Sequence, residues 1–202
     1  MKKIIFLFAS IIAYSAANAQ ATHTVNLIIP EVTLISITSA ANEVKFIAPS
    51  SANAGANMAN TQSTVNAILS YSSMMNGGST KPSRSIYVTS TKTSTNNITG
   101  ISLTVVGVPP TPTPPTSNGI LGVSTGEAVI VAPADGAVKS TGSASSSSPV
   151  LISGITSGFT GTATGASITY KSTMEGLTTA QYGALRSGTY SFAVTYTLSD
   201  NL

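Results

Sequence analysis

The sequence predicts an all-β fold: an antiparallel immunoglobulin-like β-sandwich with one short helix before its last strand. Three observations carry this expectation. Stretches of period two, rich in Val, Ile, Thr and aromatic residues, recur along the chain, and clusters of Pro, Gly, Asn and Ser separate them. Long amphipathic helical periodicity is missing. The best-patterned stretch is the last, GTYSFAVTYTLSDNL, in which Tyr190, Phe192, Val194, Tyr196 and Leu198 fall on every second position between Ser191, Ala193, Thr195, Thr197 and Ser199. Side chains of a strand alternate between its faces, so residues 190–198 are apolar on one face and small or polar on the other.

The opening MKKIIFLFASIIAYSAANAQA reads as a signal peptide over residues 1–19. Lys2 and Lys3 supply the charged start, Ile4 to Ala16 the apolar run, and Ala17-Asn18-Ala19 a small-x-small cleavage site. The apolar run is too short for a membrane span, and no second such run follows. Cleavage after Ala19 leaves 202 − 19 = 183 residues, starting at Gln20. The expected location is secreted or at the cell surface, with no transmembrane segment once the signal is removed.

Removing Lys2 and Lys3 leaves seven basic residues against six acidic ones, so the formal charge falls from +3 to +1. The basic residues are scattered, with Lys81 and Arg84 the only near pair, and no nucleic-acid partner is expected. Charged residues make up 7% of the chain, against about 25% in ordinary soluble domains. Ser, Thr, Asn, Ala and Gly stand in their place, a composition that tolerates close packing against copies of the same chain. The chain has no Cys, so burial alone must stabilise an exported fold of this size.

Along residues 20–202, read as a single domain, the first patterned stretch is HTVNLII. It places Val25, Leu27 and Ile29 on one face before Pro30 interrupts. EVTLISI resumes the period, and EVKFIAP, TVNAILSY, RSIYVTST and ITGISLTVVG follow. GVPPTPTPPTSNG, residues 107–119, carries five of the ten prolines and reads as extended, near polyproline II. It is either a stiff loop between strands or a divider between two subdomains. EAVIVAP, PVLISGI and ASITYKS are the next strands, with STGSASSSSP (140–149) a surface loop between the first two. In LTTAQYGALRSG, Thr178 stands three residues before Gln181, the spacing of a capping box, and Gly188 marks the stop. Tyr182 and Leu185 of this helix are expected to plug the core edge. Tyr71, Tyr87, Tyr170 and Tyr196 sit at strand positions where core is the expected role.

The residues offer little to an enzyme. His23 is the single histidine and lies near the start of the mature chain, so a Ser-His-Asp arrangement would have to draw on it. The six acidic residues Glu31, Glu43, Glu127, Asp135, Glu175 and Asp200 are isolated in sequence. No calcium loop, Cys/His metal set, phosphate loop or nucleophile elbow is present, and no cofactor or metal is expected.

Residues 190–198 contain no charge and no proline, the usual protections of an exposed edge. Either this strand is central in its own sheet or another chain completes it. With its charge-poor, Ser/Thr/Gly-rich composition, its alternating start HTVNLIIPEVTLISI and its alternating finish VTYTLSDN, the chain resembles a fimbrial (pilin) subunit. It is also similar to secreted, uncharacterised β-rich surface proteins of Bacteroidota. The likeness covers both ends and, in general character, the middle.

The resemblance implies an immunoglobulin-like fold completed by a strand from a neighbouring subunit. Val25, Leu27 and Ile29, within an exchange strand at residues 22–29, would fill the neighbour's pockets. Tyr190, Phe192, Val194, Tyr196 and Leu198 would line the acceptor groove or contact a periplasmic chaperone. The implied partners are copies of the chain or related surface subunits. The expected function is thus a non-enzymatic extracellular structural or assembly subunit associating by strand complementation. A monomeric secreted adhesive or glycan-binding module is the second reading and a hydrolase the third.

Overall fold

The computed structural model describes residues 23–38, 44, 54, 67–78, 80–93, 101–111, 119–131, 148–161, 163–173 and 178–200. The described residues are all-β and antiparallel, with one short helix. Its strands are β1 (Val32–Thr38), β2 (Ala67–Met74), β3 (Arg84–Lys92), β4 (Ser102–Val108), β5 (Gly119–Ser124), β6 (Glu127–Val131), β7 (Val150–Phe159), β8 (Ala166–Thr173) and β9 (Phe192–Asp200). The helix α1 (Thr179–Ala184) precedes β9. The strands expected from EVKFIAP and the signal peptide fall outside the described residues, except that Val44 packs against the core.

The strands form one hydrogen-bonded sheet in the order β6-β4-β8-β2-β7-β3-β9, with β1 on the second edge of β2 and β5 on β7. Strand β7 joins two halves. Its residues Val150, Ile152 and Ile155 pair with Tyr87, Ile86 and Arg84 of β3, while Gly158 and Phe159 pair with Ser73 and Ser72 of β2. The halves β5-β7-β3-β9 and β1-β2-β8-β4-β6 contribute to one buried core. Side-chain bonds run between them: Tyr71 donates to the Leu121 carbonyl at 2.6 Å, Ser90 to the Ile130 carbonyl at 2.8 Å, the Tyr170 and Tyr196 hydroxyls lie 2.6 Å apart, and Arg84 of β3 reaches Val32 of β1 and Ser73 of β2.

The apolar face of each strand supplies the space between. Leu69 and Tyr71 of β2, Ile86 and Val88 of β3, Val105 of β4, Ile130 of β6, Leu151, Ile152 and Ile155 of β7, and Ile168 and Tyr170 of β8 are buried in one cluster. Burying a large aliphatic side chain contributes about 1.5–3 kcal/mol, so this set is the main source of stability in a chain without disulfides. Tyr71, Tyr87 and Tyr170 are buried as expected. Gly107 of β4 lies so close to the core that a Cβ there would sit 2.7 Å from Leu151 Cγ.

Several expectations are corrected. HTVNLII is not a strand: residues 23–30 have no strand pairing and every one is exposed. Alternation alone does not make a strand when no neighbour supplies hydrogen bonds. Residues 107–119 are not all loop, because Gly107 and Val108 complete β4 and Gly119 opens β5; residues 112–118 lie outside the described set. Strand β5, GILGVS, escapes the pattern because Gly122 breaks its alternation with a φ of 86°. The capping box of Thr178 and Gln181 forms, but α1 ends at Ala184, before Gly188, where the Leu185 N–H bonds the Tyr182 carbonyl. Tyr182 is exposed rather than plugging the core edge, and Leu185 is half-buried, because so short a helix buries no face.

Candidate strand-exchange site

Strand β9 pairs with β3 along its full length, from Lys92↔Phe192 to Arg84↔Asp200. Among the described residues its other edge pairs with no strand. Its inward face runs Phe192, Val194, Tyr196, Leu198, and the exposed side carries Ala193 and Thr195. Burial is graded along that face. Leu198, opposite Ile86, is 6% exposed, whereas Phe192, Val194 and Tyr196 are only half-buried although Val194 and Tyr196 touch the core. The aliphatic core positions Ile86 and Val88 of β3, Leu151, Ile152 and Ile155 of β7 and Ile168 of β8 are closed over completely. The core is therefore partly uncovered along β9.

Tyr190 departs from the expected strand. It precedes β9, and its hydroxyl donates to the Arg186 carbonyl at 2.6 Å, turning the ring towards the segment after α1. The strand instead continues past Leu198 to Asp200, held there by an ion pair.

That ion pair belongs to a cluster that the isolated spacing of the carboxylates concealed. Arg84, at the start of β3, is buried to 2% exposure. Its Nε donates to Asp200 Oδ1 at 3.0 Å, and its Nη2 pairs with Glu31 Oε1. Its Nη1 donates to the Val32 carbonyl at 2.7 Å, with Ser73 Oγ at 3.2 Å and the Met74 carbonyl at 3.3 Å. A buried guanidinium is tolerable only when charge and hydrogen bonds compensate it, and both are present. One side chain thus fastens the start of β1, the ends of β2 and β9, and Glu31.

Glu31 and Pro30 lead directly into the exposed apolar segment. Val25, Leu27 and Ile29 are 77%, 85% and 65% exposed, and Ile28 between them is equally bare. This is an unusual outlay of apolar surface for so short a segment. Residue 22 of the expected exchange strand is outside the described residues.

Burial pushes the Tyr71 hydroxyl well above its ordinary range. Burial also raises Tyr170 and, together with the adjacent Tyr170, raises Tyr196, so all three remain neutral donors or acceptors at ordinary pH. His23 is exposed and no strand begins there. Among the described residues no three His, Cys, Asp or Glu gather into a metal-binding group, and no helix is long and apolar enough to cross a membrane. Comparison with protein-family models, with curated proteins and with solved structures finds no match.

Proposed function

We propose that this chain is a non-enzymatic extracellular structural subunit, fimbria-like in design, that associates by strand complementation. Residues 23–29 of one copy lie along the open edge of β9 in the next. The observation that carries this reading is the match between two incomplete surfaces: a bare apolar segment and a half-covered apolar strand. At about 3.3 Å per residue, seven extended residues span roughly 23 Å, against roughly 30 Å for the nine residues of β9. Added as a strand, Val25, Leu27 and Ile29 would turn to one face, over Phe192, Val194 and Tyr196. Export through the signal peptide places the subunit outside the cytoplasm, where a periplasmic chaperone is a fitting transient partner for the same edge.

Light scattering after size-exclusion chromatography tests this on mature protein, on a variant lacking residues 23–29, and on each with a synthetic peptide of that segment. Intact protein is expected to form oligomers, the deleted form to be monomeric and less stable, and the peptide to restore its stability. An intact monomer indifferent to the peptide defeats the proposal.

A second reading, an adhesive module, draws on one observation. Leu34, Ser72 and Phe159 lie in line across β1, β2 and β7, and Leu34 and Phe159 are exposed on the same face. An exposed aromatic ring on a flat strand surface can stack on a sugar. Loss of glycan binding on Phe159→Ala with unchanged melting supports that reading.

A further inference from the structure

A chain that carries both an apolar segment and an open edge could satisfy itself, and the position of Arg84 bears on that choice. Strand β1 starts beside Arg84 and runs away from it, whereas β9 runs towards Arg84 and ends there at Asp200. Continued in line with β1, residues 23–30 would extend beyond the end of their own β9. To run alongside it they would have to reverse direction at Pro30–Glu31. Pro30 fixes its own φ near −65° and holds Ile29 in extended conformations. Glu31 is held by the buried Arg84, which also grips the Val32 carbonyl. Reversal would break these bonds and leave a buried guanidinium short of partners.

We propose that the Arg84–Glu31 clamp directs residues 23–29 away from their own β9, so that the edge is left for a second copy of the chain. The second half of this statement rests on the strand-complementation reading; the first does not. Arg84 is here a positioning residue, acting through Glu31 on a segment it does not touch.

The chain has no cysteine, so Asn26→Cys with Thr195→Cys introduces the only two thiols. Spin labels on both, in mature protein diluted with an excess of unlabelled chain, report the separation within one molecule. Residue 26 lies five residues before Glu31 and residue 195 five before Asp200, so the outward arrangement gives a separation centred near ~33 Å at about 3.3 Å per residue. A segment folded onto its own β9 brings the labels within roughly 15 Å. The expected result is the long separation, with Glu31→Ala adding a short-distance population; this variant keeps Arg84 paired with Asp200 and so preserves the fold. A short separation in the parent protein, or no change on Glu31→Ala, overturns the clamp. A long separation that shortens on Glu31→Ala, in a protein that stays monomeric and ignores the peptide, upholds the clamp and defeats strand complementation alone.

Discussion

The Tyr170 hydroxyl on β8 lies 2.6 Å from the Tyr196 hydroxyl on β9, a polar tie between the two halves of the sheet. Tyr196 is thus both part of the half-covered face of β9 and a member of the core. With Tyr71 bonded to the Leu121 carbonyl, three neutral phenols contribute to the contact between the halves.

This gives an alkaline limit to stability. Each of the three phenols is raised by burial above the ordinary tyrosine value of about 10. A group whose folded value is raised contributes stability that is whole below the unfolded value and is lost progressively as pH climbs from there through the raised folded value. Melting temperature should therefore hold up to pH of about 10 and fall above it, with a shallower fall in Tyr196→Phe. Circular dichroism alongside tyrosinate absorbance checks this. Full tyrosinate absorbance at unchanged secondary structure would contradict it.

The two faces of β9 should respond differently to charge. Val194 packs against the core and Thr195 is exposed. Val194→Lys is expected to cost about 2–4 kcal/mol by bringing an unpaired ammonium against apolar neighbours, and Thr195→Lys less than about 0.5 kcal/mol. Urea denaturation of both variants measures the difference. Equal tolerance would mean that the apolar face of β9 is not seated as described.

Arg84→Met should destabilise far more than Glu31→Gln. The first removes a buried cation and strands the carbonyls of Val32 and Met74 as well as two carboxylates, an expected loss of about 3 kcal/mol. The second removes one partner whose side chain is 47% exposed, an expected loss below about 1 kcal/mol. Chemical denaturation of the two variants, compared at equal salt, gives the order. A reversed order would show that Glu31 rather than the buried guanidinium holds the cluster together.

Gly107→Ala places a methyl group 2.7 Å from Leu151 Cγ and 3.3 Å from Ile168 Cδ1, both fully buried. Overpacking of this kind costs about 1–3 kcal/mol. Gly77→Ala, at a turn with open space around it, is the control and should change stability by less than about 0.5 kcal/mol. Thermal melts of the pair decide whether β4 is packed as tightly as its geometry indicates.

Side-chain period was legible in the sequence because it is a local property. The alternation in AILSYSSM and FAVTYTLSD assigns Leu69, Tyr71 and Leu198 to the inside with no knowledge of neighbours, whereas β3 buries Arg84 to Ser90 without alternation, which its sequence does not disclose. The capping box of Thr178 and Gln181 was legible for the same reason, since its partners stand three residues apart. Strand β5 was not, because Gly122 interrupts the only pattern that could reveal it.

Neighbours were decided by the tertiary structure. The alternation of Val25, Leu27 and Ile29 resembles that of Phe192, Val194 and Tyr196, yet one stretch stands bare and the other is bonded to β3. A period of two names the faces of a strand and says nothing of what lies along its edges. The Arg84 cluster was hidden for a related reason: its charged members are 53 and 116 residues from the arginine. Only chain folding brings Glu31 and Asp200 to one guanidinium, and burial of that cation then makes their positions consequential.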